Sequence, residues 1–206
     1  MKLIGFYDYT VILTYLSLIS GVVGMYFASQ SKLTVAICCL LFSGFCDMFD
    51  GVVARSKKNR TADEKSFGIQ LDSLCDVVCF GVFPAVILFF SGVDSIGGIA
   101  ILVLYVLCAL IRLAFFNVLE TKRQQTVDGC AKSYRGLPVT SAAIIFPLCH
   151  FVGMAVPGNV MAVVYYILPF VTAVLFVADF RIPKIDIGKL LFKKKARKKP
   201  LKWLDY

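Results

Sequence analysis

The sequence has very few of the residues that build zinc centres or histidine-based catalytic sites. It contains a single histidine, His150, and none of its eight cysteines stands in a CxxC arrangement. Structural zinc sites and disulfide frameworks need several such ligands at close, regular spacings. We therefore expect no zinc site, and we expect the cysteines to pack as small apolar side chains.

Charged residues are also scarce, at 17% of the chain, whereas hydrophobic residues make up 59%. A soluble domain has about 25% charged residues. Apolar runs of about 20 residues, the length that crosses a bilayer as a helix, recur along almost the whole chain. This leaves no room for a separate soluble domain and predicts one all-α integral membrane domain. The first run is too long for a signal-peptide core, so we expect it to be retained.

The apolar runs predict six transmembrane helices. Their expected bounds are Tyr9–Ala28, Leu33–Ala54, Ile69–Ser91, Ile96–Val118, Leu137–Val156 and Val160–Ala178. Basic residues concentrate in the second and fourth connections and in the segment after Asp179, which holds ten Lys or Arg. By the positive-inside rule these parts and both termini are cytoplasmic. We therefore predict a catalytic domain over 1–180 and a basic cytoplasmic tail over 181–206 that lies against anionic membrane lipids rather than nucleic acid.

Four aspartates interrupt the second and third apolar runs. Asp47 and Asp50 are three residues apart, and Asp72 and Asp76 are four apart, so on helices each pair lies on one face. Facing lipid, each carboxylate would cost about 3 kcal/mol, and four would cost about 10 kcal/mol. Measured from the cytoplasmic ends of their runs, the two pairs lie at matching depths. Antiparallel neighbours would therefore gather all four into one cluster near the cytoplasmic surface.

Four carboxylates at one point suit hard divalent cations, Mg2+ or Mn2+. Two such ions can stabilise the attacking and leaving oxygens of a displacement at phosphorus. The small residues Gly51, Ala54 and Gly68 flank the acids and would let a bulky headgroup approach the backbone. Arg55 lies little more than one turn from Asp50, where a guanidinium can meet a phosphate or hold a carboxylate. The sequence thus predicts a metal-assisted phosphotransfer site.

These residues carry a family resemblance. They form the pattern Asp47-x2-Asp50-Gly51-x2-Ala54-Arg55-x12-Gly68-x3-Asp72-x3-Asp76. This pattern resembles the signature of the CDP-alcohol phosphotransferases, except that the Arg-to-Gly gap is longer than the family's usual eight or nine residues. The resemblance covers most of the chain and implies a six-helix membrane enzyme, typically a homodimer. Such an enzyme transfers the phosphatidyl group of CDP-diacylglycerol to an alcohol and releases CMP.

The resemblance also implies roles for individual residues. Asp47, Asp50, Asp72 and Asp76 would bind two metal ions that hold the pyrophosphate, and Asp76 would also act as the general base toward the attacking hydroxyl. The nucleotide would be bordered by a further set of residues, namely Gly51, Ala54, Arg55 and Gly68.

Further motifs resemble the phosphatidylserine synthase branch of the family, which makes L-serine the expected acceptor. These are Asp72-Ser73-Leu74-x-Asp76, Phe80-Gly81-x2-Pro84, Arg112-Leu113-Ala114, Phe116-Asn117 and Arg135-Gly136-Leu137-Pro138. The chain departs from the branch at Phe115, where an arginine is common, and at Val139-Thr140. Arg112 and Arg135 are the candidate cations for the serine carboxylate or a lipid phosphate, and Asn117 is a further candidate. Each of these residues also has an alternative role without substrate binding. Arg112 could pair with one of the aspartates, Arg135 could be a loop charge that sets the topology, and Asn117 could be a polar residue at a helix end.

Two other functional hypotheses remain at this point. The same catalytic core could act on glycerol phosphate, inositol phosphate or choline, although a phosphorylated acceptor calls for more basic residues near the acids. Intramembrane acids also mark ion pathways, so a divalent-cation transporter is the rival from a different class. Against it, the opposite half of the membrane has no matching acids to continue a path. We expect an enzyme of the cell membrane with its active site facing the cytoplasm.

Overall fold

The computed structural model describes residues 5–57, 59–126 and 133–183. Helices account for most of this part of the chain, as the composition predicts. The α-helices are α1 (Ile12–Ser29), α2 (Leu33–Ser56), α3 (Ala62–Asp76), α4 (Phe83–Phe90), α5 (Ile96–Thr126), α6 (Ala142–Gly153) and α7 (Gly158–Val177). Strands β1 (Ser133–Arg135) and β2 (Arg181–Pro183) pair in antiparallel register. This short ribbon joins the α5–α6 connection to the segment that follows α7.

Five helical segments are long and apolar enough to cross a membrane, so the chain is a multi-pass membrane protein. They are Tyr9–Ser29, Leu33–Ala54, Ala62–Phe90, Ile96–Leu119 and Gly158–Val177. The remaining predicted span corresponds to a shorter apolar helical segment, Val139–Gly153. At 1.5 Å per residue it measures about 22 Å, less than the roughly 30 Å hydrocarbon core. Pro138 and Pro157 lie on either side of it and limit its length.

The third helical segment starts seven residues earlier than predicted, at Ala62 instead of Ile69. Its start is fixed by a capping box, in which Thr61 Oγ1 accepts from Glu64 N at 3.1 Å while Glu64 Oε2 accepts from Thr61 N at 2.9 Å. A capping box needs polar residues, so it lies outside the apolar run that hydropathy detects. The helix therefore extends beyond the membrane-spanning part.

Small residues allow α1 and α2 to pack closely. A Cβ at Gly24 would lie 2.1 Å from Phe83 Cζ and 2.8 Å from Cys39 Cβ, so no larger residue fits without a shift. Ser17 and Ser43 hydrogen-bond across the same pair of helices at 2.7 Å. Close backbone approach and interhelical polar contacts are the usual means of helix association in lipid. These contacts hold α2, which carries Asp47 and Asp50, against α1.

A π-helical turn, Val77–Val82, joins α3 to α4 directly after Asp76. Its cause lies in Pro84, which has no N–H to donate to the carbonyl of Phe80, its regular α-helical partner. The buried Tyr105 hydroxyl donates to that carbonyl instead, at 2.6 Å. The wider turn changes the direction of the helix at the point where the last acid is placed.

Candidate active site

The four aspartates converge from α2 and α3, as the matching depths predict. The Asp47 and Asp76 carboxyl groups lie within hydrogen-bonding distance of each other, and so do those of Asp50 and Asp72. The deeper acid of one helix thus meets the deeper acid of the other, and the shallower acids pair in the same way. Asp76 is 8% exposed and lies at the buried end of the cluster.

The arrangement fits a divalent cation. Asp47, Asp50 and Asp72 each offer a carboxylate oxygen, and these oxygens lie within 4.8 Å of one another. Oxygens around one Mg2+ at about 2.1 Å lie within about 4.2 Å of each other, so a small side-chain rotation suffices. Asp72 Oδ1 is buried and has no hydrogen-bond partner among the described residues. A buried anionic oxygen without a partner is costly, and a bound cation would remove that cost.

Asp76 stands apart from the other acids in this geometry. Among the described side chains it is not part of the three-acid set, and it contacts that set through Asp47. Its position, buried next to the set and just before the π-helical turn, suits a proton acceptor close to bound substrate.

The small residues predicted to border the nucleotide lie on the two helices that carry the acids. Gly51 and Ala54 follow Asp50 on α2, and Gly68 precedes Asp72 by one turn on α3. Arg55 belongs to α2, but its side chain is outside the described part of the structure. Sequence reasoning did not single out Arg60, yet its guanidinium lies against Gly68, where an added Cβ would be 2.6 Å from Nη2.

Arg112 faces the protein interior, as expected for a cation inside a span. It is 6% exposed, and its Nε donates to the Leu137 carbonyl at 3.2 Å. Gly136 makes this contact possible, because it has a left-handed φ of 71° and an added Cβ would lie 2.9 Å from the Ala178 oxygen. Arg112, Phe115 and Asp179 also line a cavity of about 250 Å³ between α5 and the end of α7. The described contacts of Arg112 are thus with a backbone carbonyl and this cavity.

The remaining acceptor candidates have different surroundings. Asn117 Oδ1 accepts a hydrogen bond from Ser73 at 2.9 Å, which ties α5 to α3 beside Asp72. The Arg135 backbone belongs to β1, opposite Arg181, and its side chain is outside the described residues.

Sequence reasoning missed a contact from α1 to the acids. Thr14, which is 6% exposed, lies with its hydroxyl 3.4 Å from Asp50 Oδ2 and can donate to it. The local sequence around Thr14 does not reveal this contact, because its partner lies 36 residues away.

Comparison with known proteins agrees with this geometry. The sequence profile described as CDP-alcohol phosphatidyltransferase matches residues 10–180. The archaetidylserine synthase of Methanothermobacter thermautotrophicus is 30% identical over 187 residues, which cover 90% of this chain and 73% of that protein.

Two further relatives are named CDP-diacylglycerol–serine O-phosphatidyltransferase. The Helicobacter pylori protein is 35% identical over 65% of this chain and 53% of its own length. The Saccharomyces cerevisiae protein is 40% identical over 53% of this chain and 39% of its own length. The chain thus matches about half or less of these two proteins. The match over 171 residues and the convergence of the four signature acids lead to one conclusion: the chain belongs to the CDP-alcohol phosphatidyltransferase family.

Proposed function

We propose that this protein transfers the phosphatidyl group of CDP-diacylglycerol to L-serine, giving phosphatidylserine and CMP. The convergence of Asp47, Asp50, Asp72 and Asp76 at one point between α2 and α3 carries the proposal. The names of the relatives in Helicobacter pylori and yeast support serine as the acceptor. The name of the archaeal relative also points to a seryl phospholipid.

Asp47, Asp50 and Asp72 are the residues that would hold Mg2+ or Mn2+, with Asp76 at the edge of the set. Two such ions, when bound, would neutralise the charge of the pyrophosphate and of the leaving CMP. Gly51, Ala54, Arg55 and Gly68 would border the nucleotide.

Asp76 would accept the proton of the serine hydroxyl as its oxygen attacks the lipid-linked phosphorus. The new P–O bond forms as the P–O bond to CMP breaks, so CMP leaves with the electron pair. Asp76 is buried next to Asp47, so its carboxylate lies beside the acids that would hold the metal ions.

Arg112 is the best-placed candidate for the serine carboxylate. It is buried, its guanidinium borders a cavity of about 250 Å³, and only its Nε has a described backbone partner. Asn117 lies five residues further along α5, about 7.5 Å away along the helix axis. It contacts Ser73, the residue next to Asp72 in the sequence. Arg135 would bind the same substrate or the lipid phosphate from the α5–α6 connection.

The membrane arrangement is part of the proposal. We propose that Val139–Gly153 crosses the membrane as the sixth span of a transmembrane catalytic domain over 1–180. Both termini, the basic tail over 181–206 and the active site would face the cytoplasmic side of the cell membrane. The charge of the second and fourth connections supports this orientation. We also propose a homodimer, as the family resemblance implies.

A membrane assay with CDP-diacylglycerol and a choice of labelled alcohols tests the function. We expect labelled phospholipid with serine and none with glycerol phosphate, inositol phosphate or choline. Product with one of the other alcohols alone would overturn the serine assignment and keep the chemistry. Divalent-cation flux in proteoliposomes without metal-dependent CMP release would overturn the enzyme class.

A further inference from the structure

Arg60 lies in the connection between the two helices that carry the acids. The Arg60 guanidinium lies on Gly68, where the missing side chain makes room for it. Gly68 lies four residues before Asp72, about 6 Å along α3. The cation of Arg60 therefore lies about one helical turn from Asp72.

The Arg60 guanidinium has incomplete hydrogen bonding in this position. Nη2 donates to the Glu64 carbonyl at 3.0 Å, but the buried Nε has no partner among the described residues. A buried donor without a partner is destabilising. The arrangement is therefore incomplete as it stands and is suited to an added acceptor.

The side chain of Glu64, whose backbone carbonyl Arg60 contacts, does not supply that acceptor. The Glu64 carboxylate accepts from Lys57 Nζ at 3.1 Å and from Thr61 N at 2.9 Å. Among the described residues, the ion pairs of this connection are those of Lys57 with Asp8 and with Glu64. Arg60 is thus a cation that no described carboxylate neutralises, beside a cluster of acids that would gather metal ions and phosphates.

We propose that Arg60 is a further nucleotide-binding residue, whose Nε–H donates to a phosphate oxygen of the bound cytidine nucleotide. This inference rests on the proposed function. A guanidinium suits the role because it presents several donors in a fixed plane and keeps its charge. Gly68 would then have two roles. It would border the nucleotide, and its lack of a side chain would let the Arg60 guanidinium lie on α3 close to the nucleotide.

Binding of CDP to the full-length protein, purified in detergent with Mg2+ or Mn2+, tests the proposal. CDP has the phosphates but no acyl chains, so it separates the nucleotide from lipid headgroups. We expect Arg60→Gln to weaken CDP binding by about 10- to 100-fold, as for loss of a hydrogen bond between charged groups. The KM for CDP-diacylglycerol should rise to a similar extent while kcat stays within about threefold. Arg60→Lys should restore part of the affinity.

Lys65→Gln is the matched control, because Lys65 is an exposed cation on the first turns of the same helix. We expect its CDP affinity and KM to stay within about twofold of the wild type. A merely structural role for Arg60 would lower the thermal midpoint of the ligand-free protein and reduce kcat, and it would leave the intrinsic CDP affinity of the folded fraction unchanged.

Unchanged CDP affinity in Arg60→Gln would overturn the proposal. If that variant bound CDP normally but had a raised KM only in micelles rich in an anionic phospholipid, Arg60 would bind lipid headgroups instead, which also overturns it. These outcomes are distinct from failure of the proposed function, which would appear in the wild type as CDP binding without transfer to serine.

Discussion

Removal of the Tyr105 hydroxyl tests how the fold holds the last acid in place. Tyr105 is fully buried, and its hydroxyl donates to the Phe80 carbonyl at 2.6 Å. The ring contacts Phe146 and Phe176 at centroid distances of 5.5 and 5.6 Å. Tyr105→Phe keeps these ring contacts and removes only the donor. The substitution therefore isolates one hydrogen bond at the π-helical turn that follows Asp76.

The size of the effect follows from the lack of a replacement donor. Hydrogen bonds between membrane helices average about 0.6 kcal/mol and reach about 1.7 kcal/mol, because the broken groups usually find other partners. Here the regular partner of the Phe80 carbonyl would be the nitrogen of Pro84, which carries no hydrogen. We therefore expect a loss near the upper end, about 1–2 kcal/mol in the free energy of unfolding. A loosened turn should also lower kcat, by up to about tenfold, since 1.4 kcal/mol corresponds to a factor of ten.

Reversible unfolding in mixed micelles and steady-state transfer measure the two effects. Tyr166→Phe is the control, because it removes a partly exposed hydroxyl that contacts Ser95 at 3.1 Å and the Gly92 carbonyl at 3.4 Å, at the other end of the bundle from Asp76. We expect the control to change stability by less than about 0.5 kcal/mol. If Tyr105→Phe were as stable and as active as the wild type, the proline-based explanation of the π-helical turn would be refuted.

Three further predictions concern the acids and the N-terminal segment. Asp76→Asn should lower kcat at least about 100-fold while the protein stays folded and binds CDP; normal turnover by the purified variant would remove Asp76 as the base. EDTA should stop transfer and Mg2+ or Mn2+ should restore it, whereas full activity in chelator would contradict the metal-assisted mechanism. Hydrogen bonds from Lys57 and Thr10 lower the pKa of Asp8 to about 2, so its stabilising effect is present above pH 4 and is lost as the pH falls from about 4 to 2. The stability difference between the wild type and Asp8→Asn, about 1 kcal/mol for a pair near the surface, should therefore shrink over that range in thermal unfolding. A constant difference would contradict the ion pair.

The acid cluster shows how far sequence reasoning reaches. Residues three and four apart share a helix face, and the lengths of apolar runs set depth in the membrane. These local rules were enough to predict that Asp47, Asp50, Asp72 and Asp76 would meet. The same rules missed the first turns of the third helix, because this helix begins outside the apolar run, at the polar capping box of Thr61 and Glu64.

The sequence by itself determined the helical membrane architecture and the level at which the acids lie, because both depend on periodicity and run length along a single chain. Only the tertiary structure decided which groups surround the acids: Thr14 at Asp50, Arg60 over Gly68, and Tyr105 at the turn after Asp76. These contacts join residues 8 to 36 positions apart, and such pairs depend on how helices pack and how connections fold back. Packing is set by the shapes of all neighbouring side chains together, so no local pattern encodes it.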